Sequence, residues 1–206
     1  MKGIMIPKYL YHYYEKSREP FLSITGTDEI NARSIIDKIG QSSIIFNRWD
    51  TPQKCEFYSF FRNYTEKKIR SMFIGKGGKP ILEFPRYMTL GPTNIYNLYY
   101  EDTGVIEIPL EEFDDAVISF TYPDSMMTLM LAENRYEELS LFRIFDIERY
   151  KRPHHGEVFT KSELKIVIEK YGLPDEYAQR NHPGNRIIEA QIWDIEVIKK
   201  YVRGNT

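Results

Sequence analysis

The sequence predicts an α+β fold: a single domain, residues 1–206, with a central, mostly antiparallel sheet flanked by helices. Three observations predict it. Short runs of β-branched and aromatic residues, punctuated by turn residues, fill the middle of the chain. Segments of helical period lie toward the ends, so a regular βαβ series is not expected. No repeat, low-complexity block or linker-like stretch divides the 206 residues, a length that one domain ordinarily fills.

Residues 8–14 carry the aromatic density of a first strand. Thr27 is placed to cap a helix through Ile30, Ile35, Ile36 and Ile39, which Gly40 stops. A short buried strand is expected over 42–47. Thr51-Pro52 then opens a long helix, since a hydroxyl caps the free N–H groups and proline suits the first helical position. Phe57, Phe61, Tyr64, Ile69, Met72 and Phe73 continue it, and the Gly75–Gly78 cluster ends it. Strands are expected over 87–90, 105–108 and 116–122, with a helical turn over 94–99. A helix is read over 125–132, while 136–150 is ambiguous. Thr160-x-x-Glu163 has the spacing of a capping box and opens a helix that runs to Gly172. The turn-rich stretch 173–185 leads to a closing strand over 186–193, and Asp194 caps a last short helix through Ile198 and Tyr201.

The bulk composition narrows the class. An apolar share of 42%, with 16 Tyr and 12 Phe, supports a core and argues against disorder. A chain of this length buries roughly 70% of its unfolded surface without staples. The formal charge of −2 excludes a uniformly basic nucleic-acid surface but permits a local patch. Cys55 is alone, so no internal disulfide forms and a reducing cytoplasm is the expected setting. Its neighbours Phe57, Tyr58 and Phe61 suggest a buried small hydrophobe rather than a nucleophile. No apolar run approaches the ~20 residues of a spanning helix, so no membrane role is expected.

Several motifs fail on their own chemistry. Gly75-Lys-Gly-Gly-Lys79 follows a helix where a phosphate loop precedes one, and Phe73 stands where that loop needs glycine. His12, His154, His155 and His182 fall in no metal-ligand spacing, so no metal is expected. Asp124-Ser125-Met126 lacks the elbow of a serine nucleophile. Charge is uneven, however. Arg62, Lys67, Lys68, Arg70, Lys76 and Lys79 face only Glu66, whereas residues 101–115 hold seven acids and no base. Lys67, Lys68 and Arg70 could therefore meet the phosphates of a nucleic acid or nucleotide, or form a solvated helix face. The acidic run reads as a soluble edge, without calcium-loop spacing.

Three strand segments stand out together: Tyr9-Leu-Tyr-His-Tyr-Tyr14, Ile118-Ser-Phe-Thr-Tyr122 and Arg186-Ile-Ile-Glu-Ala-Gln-Ile-Trp193. Because strand side chains alternate, Ile188, Ala190 and Ile192 form an apolar row, and Glu189 and Gln191 share the other face. Ser119 and Thr121 likewise oppose Ile118, Phe120 and Tyr122. His12 shares the apolar face of Leu10 and Tyr14, where an imidazole needs a specific partner. Glu189 has two readings: the polar outer face of a half-buried strand, or a catalytic carboxylate.

This arrangement resembles the ADP-ribosyltransferase superfamily, and within it the DarT-like DNA ADP-ribosyltransferases. The likeness lies in Tyr11-His12, in Arg186-x-x-Glu189-Ala190 with its following Val-Ile-Lys helix, and in Ser119-Phe120-Thr121, some 25 residues in three pieces. It implies an NAD-dependent transferase of toxin or phage-effector type, modifying nucleic acid or protein, with Glu189 as the catalytic residue. It further implies that His12, Tyr13, Tyr14, Arg62, Ser119, Thr121 and Arg186 hold the NAD. The tyrosines would stack on a ring, and Arg62 or Arg186 would pair with the pyrophosphate. Ile187 departs from the Glu/Gln-x-Glu pair of protein-modifying members, and residues 17–27 delay the helix expected after His12. The residues also permit a non-catalytic nucleotide- or nucleic-acid-binding module, or an interaction factor using the aromatic surface at 95–100. On the transferase reading, the site should lie where the closing strand meets the first, near His12.

Overall fold

The structure, a computed structural model, describes residues 5–26, 31–32, 34–35, 52–98, 100–141, 146–174 and 187–202. Six strands form one sheet in the order β3-β1-β2-β6-β4-β5. They are β1 (Tyr9–Glu15), β2 (Arg86–Leu90), β3 (Thr103–Pro109), β4 (Ile118–Thr121), β5 (Phe159–Thr160) and β6 (Glu189–Ile192). Every described pairing is antiparallel, and helices flank the sheet, so the chain has an α+β fold. The strands are not gathered in the middle of the chain, as expected, but run from residue 9 to 192. The long helix lies between β1 and β2 in sequence, and the two strands pair antiparallel.

Alternation decides the two faces. In β3 the buried residues are Gly104, Ile106 and Ile108, with Val105 and Glu107 exposed, as a half-covered edge strand requires. Leu10, Met88, Ile106, Ile108, Ile118, Phe120, Ala190 and Ile192 build the apolar face. Helices α5 (Leu164–Tyr171) and α6 (Glu196–Val202) cover it with Leu164, Val167, Ile168 and Ile198. Each fully buried Leu, Ile or Phe contributes roughly 2 kcal/mol. The opposite face is covered by α1 (Pro52–Gly75) and α2 (Ser125–Ala132), and Phe73 of α1 stacks on Trp193 at 6.2 Å. Strands β4 and β6 are therefore buried on both faces.

Local signals act as their chemistry requires. Helix α1 begins at Pro52, and the Gly75–Gly78 turn closes it with Gly78 N–H on the Phe73 carbonyl at 3.0 Å. A Cβ at Gly78 would fall 2.5 Å from the Phe73 ring, so only glycine fits. Asp124 caps α2 by accepting the Met127 N–H at 2.7 Å. Glu163 accepts the Thr160 N–H at 2.8 Å, half of a capping box, and the helix proper starts at Leu164. The ambiguous stretch holds two short helices, α3 (Tyr136–Leu141) and α4 (Ile147–Tyr150). The turn expected near Asn94 is a 3₁₀ helix, Ile95–Leu98. The expected helix over 27–40 lies largely outside the described residues, although 31–32 and 34–35 are helical. The expected strand over 42–47, Thr51, Arg186, His182 and the Cys55 side chain lie outside them altogether. Among the described residues, no helix is long and apolar enough to cross a membrane.

Candidate functional site

Strand β1 pairs with β3 along its whole length, from Tyr9 opposite Pro109 to Glu15 opposite Thr103. With β2 it shares only two rungs, Leu10–Leu90 and Tyr11–Thr89. Beyond Tyr11 the two strands part. A cavity of roughly 300 Å³ opens there, and its walls include His12 to Glu15 on one side and Pro85 to Thr89 on the other. Thus the closing strand does not adjoin the first, as expected. Strand β2 lies between them, yet Glu189 and His12 both line this one cavity.

His12 bridges the gap. Its Nδ1–H donates to the Tyr87 carbonyl at 2.9 Å, and its Nε2 accepts the Phe21 N–H at 2.8 Å. Because an amide N–H can only donate, Nε2 is the unprotonated nitrogen and the ring is neutral. Burial holds its pKa down to about 4, against the pull of the Tyr87 carbonyl. The Phe21 ring stacks on the imidazole at 3.7 Å, its backbone held at a φ of 60°. Both nitrogens are committed to backbone and the ring is stacked on Phe21 and Tyr14, so His12 ties β1 to β2 and keeps no ring nitrogen for a ligand.

On the other face, tyrosines climb the cleft. Tyr11 stacks on Tyr13 at 6.3 Å, Tyr13 on Tyr96 at 4.9 Å, and Tyr96 on Tyr100 at 6.2 Å. The Tyr13 hydroxyl accepts the Thr93 N–H, which anchors the loop that carries Tyr96. Glu15 fixes the other end of β1 by accepting the N–H groups of Glu101 and Asp102.

Behind the tyrosines lies a charged floor. The Nε of Arg62 donates to Glu66 at 2.8 Å, and its guanidinium lies over the Tyr87 ring at 3.9 Å. The Tyr87 hydroxyl donates to the same Glu66 oxygen at 2.9 Å. Burial works against the Arg62 charge, but Tyr87, Tyr58, Glu66 and Glu189 around it outweigh that and keep it protonated. The hydrogen bond to Glu66 uses Nε alone, so among the described residues the terminal nitrogens of this cavity-lining arginine remain for an anion.

Glu189 opens β6, opposite Thr89 of β2 and Thr121 of β4. It is buried, as is Gln191, so the outer-face reading of this pair is overturned: α1 and α2 cover the face that a lone strand would show to water. Its Oε1 accepts the Ser125 N–H at 3.2 Å and the Gln191 amide at 3.1 Å. Burial pushes its pKa up; Arg62 opposes this, and nearby Asp124 adds to it. Asp124 is pushed up in turn by burial, against the Met127 N–H and Arg62. The two carboxyls therefore hold a proton more readily than exposed ones.

Of the residues expected to form the site, His12, Tyr13, Tyr14, Arg62 and Glu189 line the cavity. Ser119 and Thr121 do not. They are buried behind Glu189, where Ser119 donates to Gln191 and Thr121 accepts from it. Arg186 lies outside the described residues. Sequence reasoning missed Tyr58, Glu66 and Tyr87. Tyr58, Arg62 and Glu66 recur every four residues on α1, a polar stripe that could have been found. Tyr87 joins them only through the pairing of β2 with β6. Among the described residues no group of three His, Cys, Asp or Glu is placed to hold a metal ion. No protein-family model matches the chain, and no curated protein or solved structure matches it either.

Proposed function

We propose that the cleft binds NAD and that Glu189 promotes transfer of its ADP-ribose group to an acceptor. One observation carries the reading: a buried carboxylate on a rigid strand faces an aromatic cavity that also holds an arginine. As the glycosidic bond breaks, nicotinamide leaves with the bonding electrons and positive charge builds on the ribose, as in glycoside hydrolysis. A carboxylate in a water-poor site stabilises that charge and orients the ribose hydroxyls. The acceptor's nucleophile then bonds to the ribose carbon and loses its proton. Tyr13, Tyr14 or Tyr96 offers aromatic area for a ring, and Arg62 offers donors for the pyrophosphate. Burial raises the pKa of Glu189, and the cationic nicotinamide ring of the donor would oppose that rise by favouring the ionised form.

The setting we propose is the cytoplasm, in keeping with a lone cysteine. A second reading, a nucleic-acid surface at Lys67, Lys68 and Arg70, finds less support. Lys68 pairs with Glu133, and Arg70 donates to the Leu82 and Pro80 carbonyls, so two of the three charges are already engaged within the protein.

Labelled NAD, with single-stranded nucleic acid or lysate protein as acceptor, tests the reading. Wild type is expected to label an acceptor or release nicotinamide. Glu189→Gln is expected to lose about a hundredfold or more of that rate while still binding NAD. Equal rates in the two proteins, or neither turnover nor a melting shift with NAD, would overturn it.

A further inference from the structure

We propose that Gln191 is the positioning residue of this site, holding Glu189 so that Oε1 is tethered and Oε2 faces the cavity. This rests on Glu189 being the working carboxylate, but the observation behind it is separate: a chain of hydrogen bonds that runs in one direction only. The Trp193 indole Nε1–H is a donor without acceptor capacity, and it lies 2.8 Å from Ser119 Oγ. The Ser119 hydroxyl must therefore accept there, which leaves its own hydrogen for Gln191 Oε1 at 3.0 Å. That contact fixes the amide, since its oxygen faces Ser119 and its nitrogen must face the other way. The nitrogen donates to Thr121 Oγ1 at 3.0 Å and to Glu189 Oε1 at 3.1 Å.

Without the indole at the head of the chain, the Ser119 hydroxyl could accept from the amide nitrogen. The amide could then turn over and present its oxygen to the carboxylate, which would repel it. Trp193, Ser119 and Gln191 are 0% exposed and Thr121 is 1% exposed, so no solvent water can replace a missing member. The Ser125 N–H adds a second donor to the same carboxylate oxygen. Among the described residues Oε2 accepts nothing, and Glu189 lines the cavity, so Oε2 is the oxygen offered to a ligand. A glutamine that only filled space would need none of this direction.

The test reads Glu189 itself. Glutamate is labelled with ¹³C at the δ-carboxyl, and the Glu189 signal is assigned by its loss in Glu189→Gln. Its titration is then followed in wild type, Gln191→Leu, Ser119→Ala and Ser119→Thr, with folding checked by circular dichroism. Loss of the donor, or of the contact that aims it, is expected to raise the midpoint in Gln191→Leu and Ser119→Ala. Ser119→Thr keeps the hydroxyl and is expected to stay near wild type. If NAD is turned over, the first two variants should also lose about tenfold in kcat with little change in KM. An unchanged midpoint in Ser119→Ala overturns the proposal. That variant removes a single atom, so the test stands even if Gln191→Leu does not fold. If wild type leaves NAD untouched, the transferase reading falls, while the titration still decides the role of Gln191.

Discussion

Glu189 is held against the interest of stability. A carboxyl whose folded pKa is raised stabilises the fold below its unfolded value and loses that contribution as pH rises through its folded value. Glu189→Gln keeps an acceptor for Ser125 and Gln191 and does not titrate. It is expected to be more stable than wild type by about 1 kcal/mol at neutral pH, with the gap closing below about pH 4. Chemical denaturation at pH 4 and pH 7 checks this. A wild type that gained on the variant as pH rose would contradict the direction assigned to Glu189. At this scale the sequence showed which residue types were unusual, because Glu189 stands in a strand of isoleucines and His12 among aromatics. It could not show that Glu189 is covered, since burial of the second face depends on where α1 and α2 come to rest. For the same reason Ser119 and Thr121 looked like lining residues, whereas both are buried and hydrogen-bonded to Gln191.

At the scale of elements, α2 is the segment on which the site leans. Its first N–H groups meet two carboxylates, Glu189 at Ser125 and Asp124 at Met127. Asp124→Ala is expected to cost about 1 kcal/mol through loss of the cap. Asp124→Asn keeps an oxygen for the Met127 N–H and removes the charge that crowds Glu189, so it should lose little or gain. Thermal melts of the two variants separate these effects, and equal losses would show that the charge, not the cap, matters. Helix α2 was legible from the apolar run over 125–132, a local signal, although its Asp124 cap was not read from the sequence. Strand β5 was not, for two residues carry no period, and Phe159–Thr160 pairs only because β4 lies beside it. The stripe Tyr58, Arg62, Glu66 was written in α1 but looked like part of a basic, solvated face.

For the whole molecule, the α+β class followed from the texture of the sequence, whereas the strand order did not. Nothing local to β6 says that it inserts between β2 and β4, since that depends on pairings across about 70 to 100 residues of chain. The order has a measurable result. Amides of β4 and β6, covered on both faces, should exchange with solvent only on global unfolding. Those of β3, an edge strand with Val105 at 48% exposure, should exchange faster by on the order of a hundredfold. Hydrogen exchange followed by mass spectrometry or NMR gives the comparison, and uniform protection across the sheet would contradict it.

The two rungs between β1 and β2 bear on how such a cleft could work. The sheet is in effect a book with a short spine: β3 and β1 form one cover, and β2, β6, β4 and β5 form the other. Leu10–Leu90 and Tyr11–Thr89 are the binding, and the His12 ring is a clasp across the open pages. One hydrophobic core nonetheless spans both covers, because Leu10, Ile106 and Ile108 of the first pack in it with Met88, Ala190 and Ile192 of the second.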